Sequence, residues 1–450
     1  MLTNVTLFGL LLVGALVPAP LGAQRPDPLG GLVAEALRSN LGLEGQRFAE
    51  RRSAADVREA RGLFFPSLTL ASRDSRLDGV PNIGDFVNPA YAALNGILGQ
   101  NRFPTNLDIT LPQRHDSHLE LRQPLFNAAI FANYSAARSR HDAERFALGA
   151  AARLLAADVQ TAYLTEASAR RAVEIYTASL ALVRENERVA ERLVAAGRAT
   201  PEAVYRARAD RSEIEQRLAE ARQRDVAAAR VVNQILRRPE GTPIDAILDS
   251  AFDLPLTISA DSAVAHALTG REELHQVDAG IRTAQAGVRA ATAAYLPSVS
   301  LGVDYGFQGR EVEFRSSQDY WVASIVVSWN LFNGGRDAAR HAAAGYEVDR
   351  ARTLRKDLED RIALEVRVAY DAAVVAHDAI ATADDRLAAA RRTFELVQRR
   401  YEEGVASPIE LVDARTALTS AELNRVVTAY GYAIHYVELE RAAALRPLDF

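Results

Sequence analysis

The sequence predicts a mainly α-helical protein with a smaller β part, built from a duplicated unit of one helix, two strands, one long helix and a return helix. Three observations lead to this prediction. Almost 70 residues between Gly335 and Gly404 contain no proline and a single glycine, Gly345. Two short motifs each occur twice at nearly the same spacing. Each copy also contains segments in which apolar and polar residues alternate, the period of a β-strand.

The long helix lies in the stretch from Leu331 to Asp413, whose interior is rich in the helix formers Ala, Arg, Glu and Leu. Its apolar residues repeat in alternating steps of three and four over five heptads, a period typical of a coiled coil. At ~1.5 Å per residue, such a helix is roughly 100 Å long. The heptad positions are Val366, Ala369, Ala373, Ala376, Ile380, Ala383, Leu387, Ala390, Phe394, Val397 and Tyr401.

An earlier part of the chain repeats this pattern. Leu125-Phe126-Asn127 matches Leu331-Phe332-Asn333, and the turn at 197–201 (Gly-Arg-Ala-Thr-Pro) matches the turn at 404–408 (Gly-Val-Ala-Ser-Pro). Moving the heptad positions back by 207 residues gives eleven positions in the same phase, nine of them apolar. They are Val159, Ala162, Glu166, Ala169, Val173, Tyr176, Leu180, Val183, Glu187, Ala190 and Val194.

Residues 1–23 have the pattern of a secretory signal peptide. The apolar core from Leu7 to Val17 is short for a membrane span, and small residues surround Ala23. No Lys or Arg precedes the core, so a signal anchor and a misassigned start codon stay open as alternatives. The chain has no cysteine, which excludes disulfides and an acylated N-terminal cysteine.

The mature chain divides into a first repeat over 24–238, a linker or equatorial segment over 239–260 and a second repeat over 261–450. Each repeat is predicted to open on one helix, at 29–62 and at 261–294. Return helices follow the long helices, at 201–237 and 408–443. Copy one carries 25 extra residues between its strands, in a Pro/Asn/Gly-rich stretch from about 77 to 113 that reads as a long loop.

The best-defined strand runs from Ser298 to Phe307, and its neighbour is predicted from about Val322 to Leu331. Both present one apolar and one polar face. Such a pattern fits a half-buried sheet or the wall of a membrane barrel equally well. Segments of about ten residues have the length that a tilted membrane strand needs. Aromatic residues near the strand ends suit an interfacial girdle, namely Tyr320, Trp321 and Trp329.

Closure of the sheet is a physical problem for a membrane protein with four strands. The smallest membrane barrels have about eight strands. An open edge cannot face lipid, because its backbone donors and acceptors would lack partners. If the strands lie in a membrane, several chains must share one barrel, and the helices must continue beneath it as a tube.

The order of elements, the two Pro-Ser strand starts at 66–67 and 297–298, the two Leu-Phe-Asn motifs and the segment Gly404–Ala414 resemble the TolC family of outer-membrane efflux proteins. The resemblance covers essentially the whole mature chain. It implies a homotrimer with a shared 12-stranded β-barrel and a long periplasmic coiled-coil α-barrel. It further implies an exit duct of the Gram-negative outer membrane that works with a periplasmic adaptor (membrane fusion) protein and an inner-membrane pump or type I secretion ATPase.

The resemblance also assigns the two turns to the periplasmic tip. A pore constriction is then expected at Tyr401, Glu410 and Asp413. Three chains would place six carboxylates around one axis, and rings of carboxylates select cations. The alternative reading is structural, because acidic residues are common in the first turn of a helix.

Adaptor docking is expected at these turns, and ion pairs at the tip are expected from Arg206 and Arg208, unless these charges are only solvated. The sequence departs from the family pattern at Ala406, where a basic residue is expected, and at Ala203, where an acidic residue is expected. The predicted docking residues are Gly197, Arg198, Thr200, Pro201, Gly404, Ala406, Ser407 and Pro408.

Other functions find little support in the sequence. The net charge of −5 argues against nucleic acid as the main partner. His115 and His118 form an H-x-x-H pair without a third ligand, and no nucleotide-binding or nucleophile motif occurs. The sequence therefore predicts no enzyme, cofactor or resident metal. An exported coiled-coil scaffold with an ordinary soluble sheet stays open as the alternative, and the transported substrate is not encoded in any visible motif.

Overall fold

The computed structural model describes residues 29–76, 81–109, 114–246, 255–309, 312 and 314–447. The predicted signal peptide at 1–23 lies outside this range. The helices are α1 (Gly30–Ser39), α2 (Leu41–Gly62), α3 (Gly84–Leu98), α4 (Ala128–Ala195), α5 (Pro201–Leu236), α6 (Ala260–Gly270), α7 (Glu272–Ala293), α8 (Arg336–Glu402) and α9 (Pro408–Ala442). The strands are β1 (Ser67–Asp74), β2 (His115–Phe126), β3 (Ser298–Gly309) and β4 (Asp319–Ser328).

The two long helices confirm the duplicated coiled-coil prediction. α4 has 68 residues and α8 has 67. Asn127 of the first Leu-Phe-Asn motif caps α4, because its side chain accepts the N–H of Ala129 at 3.0 Å. In copy two Gly335 precedes α8 with φ +80°, a conformation that favours glycine.

The predicted heptad positions face neighbouring helices. None of the eleven positions in either copy is exposed. Alanine is frequent among them, and Ala373 has 0% exposed surface, so the antiparallel helices approach closely. The two glutamates in the copy-one pattern, Glu166 and Glu187, are buried as well. Both are held by arginines, as buried carboxylates require.

The opening helix of each repeat is broken into two, which corrects the prediction of single helices. The breaks fall at Asn40 and Arg271, equivalent positions of the two copies, and both residues have extended backbones. The Asn40 side chain accepts the N–H of Leu43 at 3.2 Å and so starts α2. Arg271 is held by Glu365 of α8 at 2.5 Å, a contact between distant residues that local periodicity does not encode.

The four strands form one antiparallel sheet in the order β1-β2-β3-β4. The register places Leu70 opposite Leu119, and Tyr305 opposite both Leu119 and Trp321. β4 occupies 319–328, so the predicted range of 322–331 was wrong by three residues at each end. Trp329 lies just outside the strand, and its indole N–H donates to the carbonyl of Tyr295 at 3.0 Å.

The predicted loop at 77–113 contains a helix, α3, which the composition did not indicate. Asparagine side chains fix the returning chain to this helix. Asn88 exchanges two hydrogen bonds with the backbone of Leu107, and Asn95 exchanges two with Phe103. These contacts join residues that are distant in the sequence, so a local reading of turn residues misses them.

Over the part of the chain that the structure describes, no helix combines the length and the apolar character needed to cross a membrane.

Candidate functional site at the helical tip

The turns that connect each long helix to its return helix have the same hydrogen bonds. Gly404 has φ +77°; its N–H donates to Tyr401 O, and the N–H of Val405 donates to Arg400 O at 2.8 Å. Gly197 has φ +68°, with the equivalent pair of bonds to Val194 and Leu193. Both turns are therefore Schellman motifs with glycine in the left-handed position.

The start of α9 is fixed by a capping box. The Ser407 hydroxyl accepts the N–H of Glu410 at 3.3 Å, and the N–H of Ser407 donates to the carboxylate of Glu410 at 3.5 Å. Arg400 lies 3.8 Å from the other oxygen of this carboxylate. Pro408 occupies the first helical position, as Pro201 does in α5. Within one chain, Glu410 thus has a structural role at the turn.

A cavity of about 550 Å³, here called the tip cleft, lies among the ends of α4, α5, α8 and α9. It brings together five of the predicted residues, and Glu410 is not among them. The five are Thr200, Arg206, Tyr401, Pro408 and Asp413. Both copies contribute to the cleft, so residues about 200 positions apart in the sequence share one site.

The charges in the tip cleft act on one another. Asp210 lines the cleft, and its burial raises its pKa, as do the nearby carboxylates of Glu213 and Asp413, while the Arg206 guanidinium opposes the rise. Burial also raises the pKa of Tyr401, which keeps its hydroxyl protonated. The cleft therefore holds carboxylates of both copies beside one arginine.

Arg208 does not join this cleft. Its guanidinium donates to Glu187 and Glu191 of α4, both at 3.2 Å. The expected pairing of Arg208 with the acidic tip of copy two is therefore not seen within the described chain, because carboxylates of its own hairpin lie closer. Arg206 lines the cleft together with Asp413 of copy two, and its ion pair with the acidic tip stays a prediction.

The remaining predicted docking residues differ in exposure. Arg198 is exposed at the end of the first turn, and its backbone N–H is used in the Schellman motif. Ala406, at the departure from the family pattern, is buried with 7% of its surface exposed. A long basic side chain would not fit there without rearrangement.

At the other end of the molecule, His115 and His118 lie three residues apart on β2, so their side chains point to opposite faces.

Sequence reasoning missed two residues of this region. Asp210 lies four residues after Arg206 on the same face of α5, a spacing that would have indicated it. Arg415 of α9 is buried beneath the tip cleft. Arg415 lies eleven positions after Gly404, just as Arg208 lies eleven positions after Gly197. A comparison of the two repeats would therefore have identified Arg415 as the counterpart of Arg208.

The sheet carries a second functional surface. One face is a continuous apolar layer, and the described chain packs no helix across it. Trp321, Ile325 and Leu70 on this face are about 70% exposed. The opposite face is polar and carries Glu120 and Arg122, which are hydrogen-bonded to each other. A sheet with one bare apolar face and one polar face separates an apolar from an aqueous phase.

Comparison with known proteins agrees with this architecture. Residues 263–445 match the family model of outer membrane efflux proteins. The fold resembles that of a membrane protein from Pseudomonas aeruginosa, with a TM-score of 0.76, 20% identity and coverage of 92% of each chain. It also resembles the open MtrE outer membrane channel of Neisseria gonorrhoeae, with a TM-score of 0.71, 19% identity and coverage of 93% of this chain and 89% of MtrE. The chain thus shares its fold with these two proteins.

Two curated relatives show the range of sequence similarity. Protein CyaE of Bordetella pertussis is 29% identical over 177 residues, which cover 39% of this chain and 36% of CyaE. The match thus spans little more than a third of CyaE's own length. The probable outer membrane lipoprotein SilC of Salmonella typhimurium is 23% identical over 430 residues, which cover 92% of this chain and 85% of SilC. The family match over residues 263–445 and the SilC similarity over most of the chain thus both relate this protein to outer membrane efflux proteins.

Proposed function

We propose that the protein is the outer-membrane exit duct of a tripartite efflux or type I secretion system. Three copies form a shared twelve-stranded barrel in the outer membrane and a helical tunnel in the periplasm. A periplasmic adaptor joins this duct to an inner-membrane pump, which supplies the energy. The duct itself conducts the substrate passively.

The observation that carries this proposal is the two-faced sheet. Its apolar face would be unstable in water, since each fully buried large apolar side chain contributes roughly 1.5–3 kcal/mol relative to an exposed one. Lipid against the apolar face and water against the polar face would remove this instability. The outer edges of β1 and β4 then need partners, because an unpaired edge in lipid leaves backbone groups unsatisfied. Copies of the same chain supply them.

The same face argues against the coiled-coil scaffold alternative. A soluble sheet of this kind buries its apolar face against helices. Here the described helices pack on one another and leave the sheet uncovered. The scaffold reading would require an unrelated partner protein to cover the whole face.

Adjacent residues of β4 allow a matched test of this orientation. Ile325 lies on the apolar face and Ser324 on the polar face. Ile325→Lys should reduce outer-membrane assembly, because a charge on the lipid face of a barrel costs ~2–4 kcal/mol at mid-depth. Ser324→Lys should assemble normally. Membrane fractionation with detergent extraction measures both, and equal assembly of the two variants would contradict the orientation.

We further propose that the tip closes the tunnel and docks the adaptor. Tyr401 and Asp413 would line the constriction through the tip cleft, and the capping box would hold Glu410 at its rim. The two Schellman turns would present the docking surface. The proteins that this chain resembles are named for different substrates: one is a cation efflux protein, one a toluene efflux protein and one a pyoverdine export protein. The inner-membrane pump is therefore proposed to select the substrate.

A further inference from the structure

Arg415 and Arg208 are equivalent residues of the two repeats, because both lie eleven positions after the glycine of their turn. In copy one the arginine belongs to an ion-pair network on the hairpin α4–α5. Glu187 accepts from Arg208 at 3.2 Å and lies 3.1 Å from Arg211, and Glu191 also accepts from Arg208. The charge of Arg208 is thus neutralised within its own hairpin.

Copy two keeps the arginine and lacks the rest of the network. Phe394 stands at the position of Glu187, Gln398 at that of Glu191 and Leu418 at that of Arg211. The Arg415 guanidinium lies over the Phe394 ring, 5.6 Å from its centre. This cation–π contact supports the cation but supplies no hydrogen-bond acceptor.

Arg415 is more deeply buried than its counterpart. Its exposed fraction is 9%, whereas the Arg208 side chain is 52% exposed. Its Nε is buried without a hydrogen-bond partner. Glu422 of the same helix attracts its charge, but no carboxylate of the described residues forms an ion pair with it. A buried cation with so little compensation destabilises the fold. The position therefore favours a bound anion in direct contact with the guanidinium.

The surroundings of Arg415 provide space for one. It lines a cavity of about 300 Å³ between the two repeats, formed by α4, α5 and α9. Ser179, Asn186 and Thr419 contribute hydroxyl and amide groups, and the hydroxyl oxygens of Ser179 and Thr419 lie 3.3 Å apart. Thr416 also lines the cavity, but its hydroxyl donates to the carbonyl of Val412. Two carboxylates also line the cavity: Glu213, which lies 3.8 Å from Arg217, and Asp210, which borders the tip cleft as well.

We propose that this cavity is a binding site for a small oxyanion, a phosphate or a carboxylate, with Arg415 as its charged anchor. Hydroxyl and amide donors around a guanidinium match the oxygen atoms of such groups. The lining belongs to both repeats, so a bound oxyanion bridges them close to the tip. This anion site is separate from the proposed duct function. It can be tested on the purified protein without an export assay.

The test is isothermal titration calorimetry of the full-length protein in detergent, with inorganic phosphate at constant ionic strength and acetate in a parallel titration. We expect saturable binding of at least one of these anions at one site per chain. Arg415→Gln should weaken it about tenfold or more, as expected for a charge-assisted hydrogen bond. The matched control is Arg208→Gln, which removes the same charge from the copy-one position and should leave the affinity within about twofold.

A second variant covers the case in which Arg415→Gln fails to fold. Phe394→Glu places a carboxylate where copy one has Glu187, so it should pair with Arg415 and compete with the anion while preserving the hairpin. The proposal predicts at least the same loss of affinity in this variant. Absence of saturable binding by the wild-type protein would overturn the proposal. Equal binding by wild type, Arg415→Gln and Phe394→Glu would do so as well.

Discussion

Glu166 shows how a single residue departs from the coiled-coil pattern. It occupies a heptad position of α4 with 3% of its surface exposed, and Arg170 donates to it at 3.0 Å. Burial raises its pKa to about 7, because the effect of burial on the pKa is larger than the opposing effect of the Arg170 charge. A carboxyl group whose pKa is close to neutral pH is therefore buried inside the helical region.

The raised pKa of Glu166 predicts a pH-dependent stability. The folded state holds this proton up to about pH 7, while the unfolded state releases it near the ordinary value of 4.5. The group therefore destabilises the fold progressively as pH rises from about 4.5 to 7, by up to about 3 kcal/mol. Thermal unfolding between pH 5 and 8 should show a smaller loss of stability in Glu166→Gln than in wild type.

Glu174→Gln is the control for this experiment, because Glu174 is exposed on the same helix and pairs with Arg171. Its pH profile should follow that of the wild-type protein. A Glu166→Gln profile that also overlies wild type would show that the buried carboxyl does not titrate in this range.

The carboxylates of the proposed constriction lead to a second residue-scale prediction. Three copies of Glu410 and Asp413 around one axis should favour cations, and multivalent cations should block the pore by bridging them. Glu410→Gln with Asp413→Asn should remove the block and most of the selectivity. Gln at 410 keeps an oxygen for the capping box. Single-channel recordings in planar bilayers measure both effects.

A pair of α8 acids that do not line the tip cleft provides the control. Asp385→Asn with Glu395→Gln changes the same number of charges per chain. This variant should conduct and be blocked like wild type. If the tip variant behaves in the same way as this control, Glu410 and Asp413 do not line the constriction.

At the scale of elements, the Schellman turns combine open space with a restricted backbone. A Cβ atom at Gly404 would have no other atom within 4 Å, so a substitution there meets strain rather than a clash. Gly404→Val should cost about 1–3 kcal/mol at the turn. We expect it to impair adaptor docking and export while the trimer assembles normally. Substrate accumulation assays and gel filtration measure the two properties.

Gly404→Asn is the matched variant, because asparagine tolerates the left-handed conformation. It should retain export close to wild type. Normal export by Gly404→Val and by the equivalent Gly197→Val would argue against docking at these turns.

For the whole molecule, the strand count sets the assembly. One chain supplies four strands with two open edges, and three chains supply the twelve of the proposed barrel. Native mass spectrometry of the detergent-solubilised protein should therefore show a trimer, with a mass below three times 49.0 kDa because the predicted signal peptide is removed. A stable monomer under conditions that preserve the fold would contradict the proposed barrel.

Local sequence information was sufficient for the elements that depend on periodicity. The heptads predicted α4 and α8, the repeated Leu-Phe-Asn and Gly-x-Ala-Ser/Thr-Pro motifs predicted their boundaries, and the alternation in 298–307 predicted β3. These signals persist in the sequence because one face of each element must be apolar over its whole length. Glycine at 404 likewise follows from a local requirement, the left-handed turn.

The tertiary structure alone decided the features that depend on distant partners. The breaks at Asn40 and Arg271 and the asparagine contacts of α3 required partners that no local pattern specifies. The tip cleft required two hairpins about 200 residues apart to pack side by side, which is why Arg206 and Asp413 line one cavity while Arg208 binds its own hairpin. The burial of Arg415 was decided in the same way. The sequence by itself determined that two arginines are equivalent, and only the packing of α9 against α4 and α5 buried one of them without an ion pair to any described residue.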